Sequence, residues 1–177
     1  MKLNFSDLEK DLEAVCEQMV ADMVNPEVVG YIGSKAEFIG DFFADRFDCE
    51  SVYLPSLHVN GHTRAAKKML NAMLRHFPER ALVPISNIYK KYIQSASRCI
   101  PEGFTLDGSL NYEGDSPILL VDDSAFTGET LDAWKQEVEK TTGKKVYTFS
   151  ITVIDGYRPD YYCIEDWRPF EWRPIGV

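Results

Sequence analysis

Apolar residues follow two patterns along the chain, and the two patterns alternate. One recurs roughly every three to four residues, as on the buried face of a helix. It occurs at residues 6–24, 35–47, 63–77 and 130–142. The other is a short apolar run rich in β-branched residues, typical of a buried strand. It occurs at residues 27–32, 51–57, 118–121 and 146–154. This alternation predicts an α/β fold with a mainly parallel, twisted sheet flanked by helices.

Local signals mark where several of these elements begin or end. Ser6 and Glu9 have the spacing of a capping box at the start of the first helix, and Gly143 is placed to end the last one. Pro55 has no N–H to give to a neighbouring strand, so its strand should lie at a sheet edge or end early. Between residues 78 and 117 the signals scatter among glycines and prolines, and we expect irregular structure there.

Length and composition limit the functions that the chain can have. Its 177 residues predict a single domain, with the core at about residues 26–155. The net charge of −9 argues against a general affinity for nucleic acid or membranes, although it leaves room for a local basic pocket. The 4 cysteines are dispersed, so neither a zinc site nor a disulfide framework is indicated. Without a leader pattern or an apolar run of about 18 residues, the cytoplasm is the expected compartment.

The segment ILLVDDSAFTGETLDAW at 118–134 places two adjacent acids directly after a buried strand. Neighbouring carboxylates repel each other, and more strongly when partly buried, so we expect a ligand to share one site with Asp122 and Asp123. Ionised carboxylates only accept hydrogen bonds, which suits two vicinal hydroxyls or a magnesium ion. The receiver domain of two-component signalling also has paired acids after a strand, but it needs more strands after them than this chain has.

The residues after the acids, 124–130, lead into the start of a helix. Backbone N–H groups, the hydroxyls of Thr127 and Thr130 and the positive end of the helix dipole together suit a phosphate. Gly128 lets the main chain come close to such a ligand. A phosphate site beside a diol site describes a cradle for ribose 5-phosphate. Turn chemistry and helix capping by the same residues are the alternative explanation.

An apolar strand, two acids, three variable residues and Thr-Gly-x-Thr resemble the motif of type I phosphoribosyltransferases that binds 5-phosphoribosyl-1-pyrophosphate (PRPP). The resemblance implies a pentosyltransferase of nucleotide salvage that moves ribose 5-phosphate from PRPP to a nitrogenous base, leaning towards a purine. It also implies small-molecule substrates, Mg²⁺ and a homodimer. Asp122 and Asp123 would hold the ribose 2- and 3-hydroxyls and, directly or indirectly, the metal. The 5-phosphate would lie against Ser124, Ala125, Phe126, Thr127, Gly128, Glu129 and Thr130.

The same family has a pyrophosphate loop after an earlier strand, and the sequence VVGYIGSK resembles that strand and loop. The residues at the loop position are Ile32, Gly33, Ser34 and Lys35. Gly33 and Ser34 would offer N–H groups, and Lys35 would be a catalytic cation alongside the two acids. An ordinary solvated lysine at the start of a helix is the alternative for Lys35.

Residues 89–104 resemble the mobile flap of the DNA-uptake (competence) branch of the family. Lys90, Lys91 and Arg98 would cover the leaving pyrophosphate, because they are among the few clustered cations of an acidic chain. A solvated run of charges is the alternative.

Residues 156–177 resemble the small C-terminal hood of bacterial purine phosphoribosyltransferases. Trp167 would stack on the base, and backbone groups around Arg168 would read the edge of the base. Alternatively, Trp167 and Trp172 anchor the tail onto the core.

The chain departs from the family pattern at three places. Phe126 stands where enzymes for 6-oxopurines have an acid, and Glu129 stands where a small residue is common. Ile154 and Asp155 occupy the position of a lysine that purine enzymes direct at the base oxygen. The identity of the base is therefore left open. The second hypothesis is a module of the same fold that senses PRPP or a nucleotide without turning it over.

Overall fold

The computed structural model describes residues 5–59, 98–100, 110, 114–125, 127–153 and 156–165. The chain forms two compact units, one made of Met1–Ser56 with Glu102–Val177 and the other of Leu57–Pro101. Its elements are α1 (Phe5–Ala21), β1 (Val28–Ile32), α2 (Glu37–Phe47), β2 (Glu50–Leu54), β3 (His58–Val59), β4 (Arg98–Cys99), β5 (Ile118–Ala125), α3 (Glu129–Thr142), β6 (Val146–Val153) and β7 (Tyr161–Ile164). In the smaller unit, β3 pairs with β4 in antiparallel fashion.

The larger unit contains a five-stranded sheet in the order β2-β1-β5-β6-β7, and every pairing in it is parallel. From β1 the chain passes through α2 to β2 on one side, whereas from β5 it passes through α3 to β6 on the other side. Because parallel crossovers are right-handed, these opposite directions place α2 and α3 on opposite faces of the sheet. The α/β fold with helices around a parallel sheet is therefore confirmed.

The first face of the sheet is covered by α1 and α2. Phe43 of α2 is fully buried and meets Phe149 of β6 edge to face, with their ring centroids 4.8 Å apart. At the far edge α1 contacts β7, where the hydroxyl of Tyr161 donates to Asp22 Oδ2 over 3.1 Å. The apolar stripe of the N-terminal helix thus covers the sheet.

The second face is covered by α3 and is more polar near its carboxyl edge. Trp134 of α3 is fully buried, and its indole N–H donates to the Pro55 carbonyl over 3.1 Å. Along β6, Thr148, Ser150 and Thr152 are also buried, which places hydroxyl groups beneath the helix. A hydrogen bond from Ser150 to the Thr152 carbonyl, 3.0 Å long, satisfies one of these groups.

Two element ends and one short strand differ from the sequence prediction. The first helix ends at Ala21 rather than near residue 24, because Met23 turns left-handed at φ 58° and the Val24 N–H returns to the Met19 carbonyl. β5 continues to Ala125 instead of ending at Val121, because β6 pairs with it along its whole length. β7 was not predicted, and it adds part of the expected hood to the sheet.

Other predicted boundaries agree with the structure. β2 is an edge strand that ends just before Pro55, as the missing proline N–H requires. Gly143 ends α3 at φ 70°, with its N–H on the Glu139 carbonyl at 2.8 Å. The helix expected at residues 63–77 lies outside the described residues. In the part of the chain that the structure describes, no helix is both long and apolar enough to span a bilayer.

The three cysteine side chains that the structure describes are free thiols. Burial raises the pKa of Cys16 to about 12, that of Cys49 to about 11 and that of Cys163 to about 12. These three thiols are therefore protonated at neutral pH.

Replacing Phe43 with alanine should lower the free energy of unfolding by about 3–5 kcal/mol, because a fully buried ring is lost and a cavity remains. Val20→Ala is the matched control, since Val20 is 57% exposed and should change stability by less than about 0.5 kcal/mol. Urea unfolding followed by circular dichroism measures both values. Similar losses in the two variants would show that the Phe43 ring does not hold α2 on the sheet.

Candidate functional site

The two predicted ligand loops follow the two central strands of the sheet. β1 and β5 are neighbours, and Tyr31 is paired with Val121. The next residues along these strands are Ile32 and Asp122, so the end of β1 and the Gly33 loop lie beside the acid pair within β5. The connections of β1 and β5 run in opposite directions from this point. A sheet of this kind binds ligands in the crevice at such a topological switch, outside the carboxyl ends of the strands.

The acid pair lies inside β5, because the strand continues beyond it. Asp122 is paired with Ser150 of β6, and both acids are half-buried. Successive side chains of a strand project to opposite faces, so the two carboxylates flank the strand from two sides rather than facing a single notch. The Asp123 N–H donates to Asp122 Oδ1 over 2.8 Å. This hydrogen bond offsets part of the repulsion that the sequence analysis assigned to a ligand alone.

The loop between β5 and α3 spans only residues 126–128. Gly128 is the N-cap of α3 at φ 76°, and it has no side chain to bond the N–H groups of the first turn. A helix leaves those groups without intrahelical acceptors, and they carry the positive end of its dipole. Glu129 and Thr130 are half-buried in that first turn. The helix start therefore has the features of an anion site.

Two hydroxyl groups near this loop differ in their hydrogen bonding. Ser124 Oγ accepts a hydrogen bond from Thr152 over 3.1 Å, which fixes the serine to β6. Thr127 Oγ1 is buried, and no hydrogen-bond partner for it lies among the described residues. A buried polar atom without a partner costs about 1–3 kcal/mol, so the Thr127 hydroxyl is a candidate group for hydrogen bonding to a ligand. Ala125, beside them, is buried and contributes only its backbone.

The loop after β1 is hydrogen-bonded to β2, and two of its side chains are exposed. Gly33 lies at φ 73°, and its N–H donates to the Leu54 carbonyl over 2.7 Å. That N–H is therefore committed to β2 and is not offered to a ligand as the sequence analysis expected. The Ile32 side chain is buried in the core, whereas Ser34 and Lys35 are exposed. The exposed residues of this loop are thus Ser34 and Lys35.

Tyr157 contacts residues 124–130, the predicted phosphate loop, and the sequence analysis did not identify this contact. A side chain at Gly128 would overlap its ring, and its hydroxyl donates to Asp132 Oδ1 over 2.9 Å. Burial raises the pKa of Tyr157 above its usual value, and the hydrogen bond to Asp132 raises it further. The hydrogen bond to Asp132 joins residues 25 positions apart. No local pattern signals it.

Asp160 links the turn that carries Tyr157 to the neighbouring elements by hydrogen bonds. Its Oδ2 accepts hydrogen bonds from the Thr148 N–H at 2.8 Å, the Thr148 hydroxyl at 2.9 Å and the Lys135 ammonium at 3.2 Å. The turn between β6 and β7 is therefore attached to both β6 and α3.

Several predicted site residues lie outside the described part of the chain. Arg98 is in β4, where only its backbone is described. The residues that lie outside are Phe126, Lys90, Lys91, Trp167 and Arg168. The flap and the base contacts therefore stay predictions.

Within the described residues, no three acidic, histidine or cysteine side chains gather into a group that could hold a metal. Two carboxylates at the site are nevertheless compatible with Mg²⁺, which keeps several waters and binds through one or two carboxylates and substrate phosphates. A dedicated metal cage is not required for that chemistry.

The chain has the fold of the type I phosphoribosyltransferases. The purine phosphoribosyltransferase of Pyrococcus horikoshii is 17% identical, with a TM-score of 0.65 over 100% of this chain and 96% of that one. The xanthine-guanine-hypoxanthine phosphoribosyltransferase of Helicobacter pylori is 15% identical, with a TM-score of 0.60 over 97% of this chain and 91% of that one. A Neisseria gonorrhoeae protein solved with bound ppGpp is 11% identical, with a TM-score of 0.62 over 99% of this chain and 91% of that one. No protein-family model matches the sequence, and neither does any curated protein.

Replacing Thr127 with valine should leave the stability of the ligand-free protein unchanged or raise it by about 1 kcal/mol, because an unpartnered buried hydroxyl becomes a methyl group of similar shape. Thr152→Val is the matched control. Its hydroxyl bonds to Ser124, so this variant should lose about 1 kcal/mol. Urea unfolding without ligand compares the two. The reverse order would mean that the Thr127 hydroxyl is already satisfied in the free protein.

Proposed function

We propose that the protein is a magnesium-dependent phosphoribosyltransferase that moves ribose 5-phosphate from PRPP to a nitrogenous base and releases pyrophosphate. The observation that carries this proposal is the buried, unpartnered hydroxyl of Thr127 at the start of α3, beside the acid pair at the switch point. Phosphate oxygens accept hydrogen bonds, so a 5-phosphate supplies a partner for this hydroxyl and would lie at the positive end of the α3 dipole.

The acid pair is the proposed ribose anchor. Asp122 and Asp123 lie next to the phosphate loop along the same strand, and a ribose carries its vicinal hydroxyls a short distance from its 5-phosphate. Hydroxyl groups that donate to carboxylates form charge-assisted hydrogen bonds, which are stronger than neutral ones. Because the two carboxylates leave the strand on different sides, we assign them separate contacts with the sugar and its metal.

The exposed part of the Gly33 loop is the proposed pyrophosphate site. Ser34 would donate to the pyrophosphate, and the ammonium of Lys35 would neutralise part of its charge. Mg²⁺, when bound with PRPP, would supply further neutralisation of the leaving pyrophosphate. The loop lies at the end of β1, next to the strand that holds the acids, so one PRPP molecule can span both strand ends.

Catalysis in this arrangement depends on position and charge rather than on a covalent intermediate. Loss of pyrophosphate leaves an oxocarbenium-like ribose, which the nearby carboxylates stabilise. Trp167 and Arg168 are the proposed base contacts, and Lys90, Lys91 and Arg98 are the proposed flap cations. The purine leaning is supported by two structures of the same fold, the purine enzymes of P. horikoshii and H. pylori. We further propose a homodimer that works in the cytoplasm.

The variant with Asp122→Asn and Asp123→Asn should lose PRPP affinity at least about hundredfold, because two charge-assisted contacts with the ribose are removed. Its Tm should be unchanged or higher, since a repulsive pair is neutralised while Oδ1 of residue 122 still accepts from the neighbouring N–H. Titration calorimetry with PRPP and Mg²⁺ measures the affinity. The control is Asp45→Asn with Asp48→Asn, which makes the same charge change at two exposed positions. Equal PRPP affinity in both double variants would refute the ribose anchor.

A sensor of PRPP or a nucleotide is the second candidate. The N. gonorrhoeae structure with bound ppGpp is the observation that favours it, because ppGpp is a nucleotide held by the same fold.

An assay of pyrophosphate release from PRPP over a panel of purine and pyrimidine bases separates the enzyme from the sensor. We expect release with at least one purine, because the leaving-group loop and the acid pair meet at neighbouring strand ends. Heat-denatured protein is the control for spontaneous PRPP hydrolysis. PRPP binding in calorimetry without release on any base would identify the sensor instead.

A further inference from the structure

We propose that Tyr157 is a positioning residue that holds the phosphate loop in the shape that binds a phosphorylated ribose. The inference rests on the proposed function, and it assigns a role to a residue outside the motif. Tyr157 lies in the turn between β6 and β7, yet its side chain packs at the start of α3.

The tyrosine contacts the helix start at two points. Its ring packs against the main chain of Gly128, in the space that a Cβ would occupy. Its hydroxyl donates to Asp132, whose own N–H bonds to the Gly128 carbonyl over 2.8 Å. The Tyr157 side chain therefore contacts both the beginning and the end of the first turn of α3. Its hydroxyl is used within the protein, so its role is to position the loop rather than to react.

The tyrosine is itself held in place by its neighbours in the chain. Asp160 bonds to Thr148 of β6 and to Lys135 of α3. The Arg158 guanidinium donates back to the Tyr157 carbonyl over 3.0 Å. These bonds fix the backbone of the turn from which the ring reaches Gly128, and the bond to Asp132 holds the hydroxyl end of the side chain.

A fixed loop matters because a phosphate is recognised by several donors at once. The Thr127 hydroxyl and the first-turn N–H groups bind one phosphate only if the turn at Gly128 keeps its shape. Ordering a loose loop on binding reduces affinity, whereas a loop that is ordered beforehand avoids that loss. Removing the tyrosine should therefore weaken substrate binding more than it weakens the fold.

Three left-handed glycines of this chain allow a matched test of the geometry. They are Gly33, Gly128 and Gly143, at φ 73°, 76° and 70°. A Cβ at Gly143 meets nothing within 4 Å, one at Gly33 meets the hydroxyl of the exposed Ser56, and one at Gly128 meets the Tyr157 ring. Alanine at each position has the same backbone strain. Differences in Tm among the three variants therefore report the atoms that the added Cβ meets.

We expect Gly128→Ala to lower Tm about twice as far as Gly143→Ala, because ring overlap adds to the backbone strain. Gly33→Ala should resemble Gly143→Ala, since a serine hydroxyl can rotate away. Adding Tyr157→Ala to Gly128→Ala should restore part of the Tm, a coupling that the two single variants and their double variant measure. Equal Tm losses for Gly128→Ala and Gly143→Ala would overturn the proposed packing.

The functional arm uses Tyr157→Phe, which removes only the hydroxyl, and Tyr157→Leu, which also removes the ring. In calorimetry with ribose 5-phosphate we expect affinity to fall about threefold and about tenfold respectively. With PRPP and an accepted base, KM for PRPP should rise while kcat at saturating PRPP stays the same. A smaller loss of affinity in Tyr157→Phe than in Tyr157→Leu distinguishes positioning by the ring from a general loss of folded protein. Tyr53→Phe, on a half-exposed edge-strand tyrosine, is the control.

The outcomes distinguish this inference from the function on which it rests. If the wild-type protein binds ribose 5-phosphate and both Tyr157 variants bind equally well, the inference alone is overturned. If the wild-type protein binds neither ribose 5-phosphate nor PRPP, the proposed function fails and the positioning role fails with it.

Discussion

The parallel pairing of β1 with β5 determines where every other feature of the candidate site lies. Both strands are central, and their register brings residue 32 next to residue 122. Because the chain leaves these strands in opposite directions, the edge between them is a topological switch point, the place where open α/β sheets bind ligands. A shift of this register by one residue would exchange the faces of β5 and direct Val121 to the wrong side. The core on one face thus fixes the geometry of the site at the edge.

An acidic chain can still bind an anionic ligand, because backbone groups at a helix start add a local positive potential, here beside the acids Glu129 and Asp132 of the first turn. The net charge is −9, yet the start of α3 carries the positive end of a helix dipole and has no side-chain cap. The unpartnered Thr127 hydroxyl and the adjacent acids are also unfavourable in the free protein. A phosphorylated sugar would relieve all three, so part of the stability lost at the site would return on binding. Sites that bind and turn over substrates commonly have this trade between stability and function.

The sequence predicted the local parts of this arrangement and missed those that depend on distant partners. α2 and α3 lie where periodicity and a terminal glycine indicated, since both signals are contained in the helix itself. The acid pair and residues 124–130 form one continuous stretch of sequence, and their role in binding a sugar phosphate stays a prediction. By contrast, β5 runs past its apolar residues because β6 continues beside it, and the short β7 is defined by pairing with β6. The left-handed Met23 shortened α1 in a way that no proline or glycine signalled.

The local geometry of β5 also explains why the acid pair does not require a bound ligand. In a strand, adjacent side chains diverge, and the Asp123 N–H lies close to Asp122 Oδ1. The protein therefore tolerates the doubled charge with its own backbone, and the pair alone is a weaker sign of a ligand than the sequence suggested. The stronger sign is the orphaned hydroxyl of Thr127 at a helix start that Tyr157 holds in place. Among the described residues the Thr127 hydroxyl has no such partner, so the case for a phosphate rests on the loop and the case for the sugar follows from its position beside the acids.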